Sequence, residues 1–111
     1  MLMLKTRWGN FFPHNAVRID VHIENEGETL YKIYLSIDNH KMLLCEFENE
    51  TDAVRFTEIF RHSFEEMLEH LDPSAVYKAS SDGLCREATN KLLGITDVDS
   101  GYGSGNITIQ A

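Results

Sequence analysis

The sequence has few cysteines and prolines, two of each in 111 residues. Two cysteines are too few for the disulfide framework on which small secreted domains depend. Both lie in apolar surroundings, Cys45 in a predicted strand and Cys85 in a predicted helix. We therefore expect two buried free thiols that behave as small apolar side chains.

Long apolar runs are also missing. Residues 1–4 are apolar, but Lys5 and Arg7 follow at once, so the opening is too short for the apolar core of a signal peptide. No stretch approaches the roughly 18 consecutive apolar residues of a membrane helix. The sequence therefore predicts a cytoplasmic protein that makes no contact with membranes.

Basic residues are scarce in the second part of the chain. Residues 1–45 hold five basic and five acidic residues, whereas residues 46–111 hold five basic and thirteen acidic ones. The net charge of -8 therefore comes entirely from residues 46–111. Binding to a phosphate backbone depends on Lys and Arg, so this balance argues against a nucleic-acid partner. It is compatible with a protein partner that has a basic surface, or simply with solubility.

What the chain does contain is the pattern of one α+β domain over residues 1–111. Alternating apolar residues predict antiparallel strands at 17–24, 30–37 and 42–47. Residues 2–8 are compatible with a further strand, and residues 107–109 predict a short terminal one. The expected fold is an antiparallel meander sheet of three to five strands, packed on one long amphipathic helix, with a short second helix.

The long helix has the strongest pattern in the sequence. Asn49 can cap its start, and Asp72 with Pro73 ends it. Its core-facing stripe consists of Ala53, Phe56, Phe60, Phe64, Met67, Leu68 and Leu71. A second helix is predicted from about Asp82 to Leu93, with Ser81 as its cap. Gly94 suits the left-handed position after its last turn.

Acidic residues on the outer side of the long helix form the first candidate site: Glu58, Glu65, Glu66 and Glu69. Such a face is commonly just solvated. If the face instead has a function, its negative charge would complement a basic groove on another protein. Because no specific catalytic or cofactor motif occurs, we predict a small acidic, non-enzymatic interaction module without a cofactor. It would bind and modulate a larger protein, as inhibitors and immunity proteins do.

Apolar residues left outside the predicted core point to self-association: Trp8, Phe11, Phe12, Tyr34, Val54 and Ile59. Surplus apolar surface on a small domain often marks a contact between copies, and closed two-fold dimers are the commonest assembly. The alternative is that the short second helix covers this surface. We expect a homodimer.

A glycine-rich segment at about 97–106 raises a second function, the binding of a nucleotide or another anion at a subunit interface. It lacks the lysine and the following helix of a phosphate loop, so a flexible connector is expected. The residues assigned to the alternative site are Arg18, Arg86, Tyr102, Gly103 and Ser104. A third interpretation, a single-stranded nucleic-acid binder, rests only on a topology of four strands followed by a helix.

Histidines on the long helix raise the question of a metal. His62, Glu66 and His70 follow one another at spacings of four residues, which places them on one helix face. A zinc site needs further ligands close by, and none follows from the sequence. We expect ion pairs at this spacing instead, including one between Arg61 and Glu65, and no metal.

His22 raises the question of acid–base chemistry, because Asp20 and Glu24 are its neighbours on the polar face of a predicted strand. A carboxylate beside a histidine can assist proton transfer. The sequence supplies no accompanying nucleophile or oxyanion site. We therefore expect pairing between neighbouring strands at the surface and no catalysis.

Overall fold

The structure is a computed structural model that describes residues 1–72, 74–94 and 108–110. Two sheets and two α-helices make up the described part of the chain. The elements in order are β1 (Leu2–Thr6), β2 (Gly9–Phe11), a 3-10 helix (Pro13–Asn15), β3 (Ile19–Glu24), β4 (Tyr31–Ile37), β5 (His40–Phe47), α1 (Glu50–His70), β6 (Val76–Ser80), α2 (Ser81–Leu93) and β7 (Thr108–Gln110). The predicted α+β class is confirmed.

Strands β3, β4 and β5 form the predicted antiparallel meander. Their alternate residues Val21, Ile33, Leu35 and Met42 are buried on one face, as the period of two requires. The register between β4 and β5 shifts after Ile33, which is typical of a β-bulge. This sheet is the base on which α1 packs.

The first strand of the meander begins later than the sequence pattern indicates. Val17 is 96% exposed and lies before β3. The amides of Val17 and Arg18 both donate to Oδ1 of Asp38, at 2.8 and 2.9 Å. This side-chain acceptor satisfies the two amides ahead of the ladder, so the apolar character of Val17 does not extend the strand.

Helix α1 has the predicted cap and the predicted buried stripe. The side chain of Asn49 accepts hydrogen bonds from the amides of Thr51 and Asp52, at 2.7 and 3.2 Å. Phe56, Phe60 and Phe64 are almost fully buried and stack in sequence, with ring centroids 5.9 and 5.8 Å apart. These three rings face the apolar side of the meander and form the centre of the core.

A second sheet, in the order β2-β1-β6-β7, was not expected. Strands β1 and β6 pair in parallel, and Leu2 and Leu4 of β1 are completely buried. The sequence pattern predicts neither β2 nor β6, because both strands are short. In addition, β6 pairs with β1, which is far from it in the sequence. The possible strand at residues 2–8 exists as β1, but it does not belong to the meander. Five strands, divided between two sheets, therefore precede α1, where the nucleic-acid analogy assumed four.

The predicted terminal strand is present as β7, and it pairs antiparallel with β6 of the same chain. Its range, Thr108–Gln110, begins one residue after the predicted start. Strand β6 therefore lies between a parallel neighbour and an antiparallel one. The sheet edge that this short strand needs is supplied within the subunit.

Helix α2 begins one residue earlier than predicted. Its cap is Ser80, whose hydroxyl accepts from the amide of Gly83 at 3.0 Å, and Ser81 is the first helical residue. Gly94 takes the expected left-handed conformation with φ 71°.

Cys45 and Cys85 are free thiols, Cys85 buried and Cys45 half-buried. A hydrogen bond with Cys45, together with burial, raises the pKa of the Cys85 thiol. Neither α1 nor α2, the α-helices of the described residues, is long and apolar enough to cross a membrane.

His14 connects the two sheets through α1. Its Nδ1 accepts from the amide of Leu2 at 3.2 Å, and its Nε2 lies 3.1 Å from the carbonyl oxygen of Leu68. A ring whose Nδ1 accepts carries its proton on Nε2, so the neutral ring satisfies both backbone groups. Through these two hydrogen bonds, His14 joins β1 to the last turn of α1, which packs on the meander.

The central position of Phe60 predicts a large loss of stability on truncation. Phe60→Ala should lower the free energy of unfolding by about 3–5 kcal/mol, because it removes a buried ring and leaves a cavity between two others. Urea unfolding measures the loss. Leu93→Ala, at a side chain that is 64% exposed, is the control and should change it by about 0.5 kcal/mol or less. Equal losses in the two variants would contradict this description of the core.

Candidate functional site

Three of the four candidate acids form one row on the outer side of α1. Glu58, Glu65 and Glu69 are exposed, and their spacing places them within about 40° of one another around the helix. We call these three residues the acidic file. Glu66 is also exposed but turned about 80° from Glu58, towards α2, where it lines a groove. The four acids that the sequence analysis groups together therefore lie at two places: three in the acidic file, and Glu66 at the groove.

Arg61, the base nearest to the acidic file, does not neutralise it. Its Nη2 donates to the carbonyl oxygen of Val21 on β3 at 2.7 Å. The expected ion pair with Glu65 is absent from the described residues, and His62 pairs with Glu66 at 3.5 Å. A partly buried carbonyl without a partner is costly, whereas a surface carboxylate stays solvated, so the guanidinium satisfies the carbonyl.

The acidic file consequently has no ion pair in the part of the chain that the structure describes. No helix or strand of that part covers its three carboxylates, since all three residues are exposed. Carboxylates in this condition keep their hydration and project their charge into solvent. Such a row suits attraction of a positively charged surface.

A groove of about 340 Å³ lies between α1 and α2, and of the four candidate acids only Glu66 lines it. Phe60, Phe64, Met67, Leu84 and Ala88 line its floor. Its rim is polar, and Lys91 Nζ lies 3.2 Å from Oγ of Ser63 and 3.7 Å from Oε1 of Glu87. The sequence reasoning missed this groove. Its one local signal is Ser63, a small residue between large ones at the edge of the apolar stripe.

A second polar cluster lies on the outer face of the meander around His22. The His22 Nε2 hydrogen-bonds to Oε2 of Glu24 at 2.8 Å. Its Nδ1 is 3.2 Å from Oδ2 of Asp20, although the angles do not make this contact a hydrogen bond. The ring stacks on Tyr34 at 5.8 Å, and Lys41 Nζ contacts the same oxygen of Glu24. These contacts correspond to the expected pairing across strands.

The electrostatics of this cluster depend on Glu24. Hydrogen bonds from Lys41 and from His22, in that order, hold the pKa of Glu24 below its usual 4.5. The same hydrogen bond raises the pKa of Lys41. Lys41 Nζ also lies 4.4 Å from the ring centroid of Tyr34, which is a cation–π distance. The cluster is therefore a polar network that joins three strands.

The alternative ligand site remains a prediction. Arg18 and Arg86 are both exposed and lie on different elements, Arg18 just before β3 and Arg86 on α2. Tyr102, Gly103 and Ser104, with the glycine-rich segment at 97–106, lie outside the described residues. Among the residues that are described, no group of three His, Cys, Asp or Glu side chains could hold a metal ion.

The depressed pKa of Glu24 predicts a pH-dependent contribution to stability. The folded pKa lies below the unfolded one, so the stabilisation is present above pH 4.5 and is lost as pH falls through the folded pKa. Wild type should therefore exceed Glu24→Gln in unfolding free energy near neutral pH, and the difference should shrink towards about pH 3. Urea unfolding across this range measures it, with Glu26→Gln as the exposed control. A difference that is independent of pH would contradict the network.

Comparison with known proteins adds no assignment to this geometry. No protein-family model, curated protein or solved structure matches the chain. The most distinctive surfaces of the described residues are the acidic file and the groove between α1 and α2.

Proposed function

We propose that this domain is a small acidic, non-enzymatic interaction module that binds a larger protein with a basic surface and modulates it. The observation that carries the proposal is the acidic file, three exposed carboxylates on one side of α1 that no ion pair neutralises in the described residues. Arg61, which is close enough in sequence to neutralise them, donates to Val21 of β3 instead.

The dimensions of the file suit a protein surface. Eleven residues separate Glu58 from Glu69, which corresponds to about 16 Å along the helix. This length exceeds the screening distance of about 8 Å at physiological ionic strength, so the two ends of the file meet separate basic groups. An exposed ion pair contributes about 1 kcal/mol or less, and the three together contribute mainly to steering and orientation.

The groove between α1 and α2 supplies what the carboxylates lack. Its apolar floor can receive an apolar side chain of the partner, and buried apolar anchors carry most of the binding energy in protein interfaces. The polar rim around Lys91 borders this floor on the side of α2. A basic partner that extends from the acidic file across the exposed face of α1 to this groove therefore fits the domain.

Neutralising the acidic file should abolish partner capture. The variant Glu58→Gln/Glu65→Gln/Glu69→Gln removes three charges without truncating a side chain. Tagged protein would be incubated with an extract of the cells that encode it, and bound proteins would be quantified by mass spectrometry. We expect a basic protein on wild type that is lost in the triple variant and that is eluted by moderate salt.

The control removes the same charge elsewhere. Glu26, Glu46 and Glu48 are exposed and lie outside α1, so the variant with all three changed to Gln keeps the file intact. It should capture the same protein as wild type. If both triple variants behave alike, general acidity and not the file causes the binding. If no captured protein depends on the file, the proposed function is wrong.

A further inference from the structure

The outer edge of β3 carries backbone groups that no strand pairs in the described residues. β3 is the end strand of the meander. The carbonyl of Arg18 accepts from the amide of Asp38 at 2.8 Å, so the even-numbered residues direct their backbone groups towards β4. The odd-numbered residues Ile19, Val21 and Ile23 therefore direct theirs outwards. The hydrogen bond from Arg61 to the Val21 carbonyl agrees with this assignment.

The edge is unusually open for a strand of this length. Natural proteins protect such edges with proline, inward-pointing charge, bulges or very short strands. β3 is six residues long, contains no proline or lysine, and pairs with β4 without a shift of register. Within the described residues, the one group that occupies its outer edge is the Arg61 guanidinium.

The side chains of β3 are complementary to themselves in one antiparallel register. With Val21 opposite Val21 of the partner subunit, Arg18 faces the partner's Glu24 and Asp20 faces the partner's His22. The two valines then exchange both backbone hydrogen bonds, because their amide and carbonyl point outwards. Asp20 and His22 stand at a position without backbone hydrogen bonds, where side chains are closest. A carboxylate and an imidazole that can donate a hydrogen bond to it therefore meet where side-chain contact is strongest.

The neighbouring registers lack this complementarity. A shift by two residues one way places Asp20 opposite the partner's Glu24 and His22 opposite the partner's His22. A shift the other way places Asp20 opposite the partner's Asp20 and Arg18 opposite the partner's His22. Like charges directly opposite destabilise a strand pair. The register centred on Val21 is thus selected by charge as well as by backbone direction.

The inner side of the edge has room for the apolar side chains of an added strand. A concavity of about 190 Å³ opens between β3 and α1 near Ile19 and Leu68. Another, of about 330 Å³, opens near Ile23 and Val54, a valine that is 40% exposed. Arg61 stands between them and lines both, and two residues of the acidic file stand at their outer margins, Glu65 at the first and Glu58 at the second. In the register centred on Val21, the partner's Ile23 and Ile19 reach these two concavities respectively.

We propose that two copies of this chain form a dimer by antiparallel pairing of β3 with β3, centred on Val21. The two three-stranded meanders then join into one sheet of six strands. The two-fold axis is normal to the sheet, so both α1 helices lie on the same face and both acidic files are presented together. Arg61 leaves the Val21 carbonyl, which the partner's Val21 amide satisfies. This inference bears on the proposed function, because the acidic file is left without its nearest base while Arg61 donates to Val21.

A pair of charge reversals tests the register. Arg18→Glu alone places Glu opposite Glu24 twice, and Glu24→Arg alone places Arg opposite Arg18 twice. Each should weaken self-association by about tenfold or more relative to wild type. Mixing the two variants restores opposite charges at both positions, so a heterodimer should form. Native mass spectrometry and sedimentation velocity report these species.

The matched control uses Arg7→Glu and Glu48→Arg, two exposed positions away from β3. Each control variant should dimerise as wild type does, and mixing the two should give no preference for the heterodimer. Glu24→Arg also breaks the contacts with Lys41 and His22, both in its homodimer and in the mixed dimer. The quantity compared is therefore the dissociation constant of the Glu24→Arg homodimer and that of the mixed dimer. Failure of the mixture to recover dimer overturns the register.

Amide hydrogen exchange tests the backbone part of the proposal directly. The amides of Ile19, Val21 and Ile23 should exchange more slowly as protein concentration rises, and those of β5 should not change. A wild-type chain that stays monomeric at high concentration overturns the proposal. So does a dimer in which the β3 amides remain unprotected, since its interface lies elsewhere.

Discussion

The hydrogen bond from Arg61 to the carbonyl of Val21 is the contact on which the surface properties of this protein depend. It joins the outer side of α1 to the edge of the meander, above a core in which Phe56, Phe60 and Phe64 already fix the helix on the sheet. The same bond removes the guanidinium from the acidic file and places it over the unpaired edge of β3. One side chain therefore determines both the exposed charge of the helix and the availability of the strand.

Much of this fold could be predicted because its signals are local. The meander follows from alternation within each strand, and α1 follows from the spacing of its phenylalanines and from the Asn49 cap. The second sheet could not be predicted in the same way. β1 pairs in parallel with β6 across most of the chain, and neither β2 nor β6 is long enough to show a period. Pairing at such separation leaves no trace in a short window of sequence.

The sequence could predict which acidic residues of α1 are exposed. It could not predict how they are arranged relative to α2 and to Arg61. Exposure of the acids on α1 follows from the helical period, but the separation of Glu66 from the acidic file depends on where α2 packs. The behaviour of Arg61 depends on a carbonyl forty residues away in β3. From the sequence, the nearest carboxylate is the expected partner of each base. In the folded chain, Arg61 instead donates to a half-buried carbonyl, because leaving that desolvated carbonyl without a hydrogen bond would be costly.

The two proposals meet on one face of the molecule. A dimer joined along β3 would carry two acidic files and two grooves with an apolar floor on the same side of a six-stranded sheet. Native mass spectrometry of the protein isolated from its own cells tests the central claim, binding to a larger protein, most directly. The account predicts an assembly that contains this chain, in two copies, together with a larger basic protein. A lone chain carrying a bound nucleotide or other small molecule would contradict it.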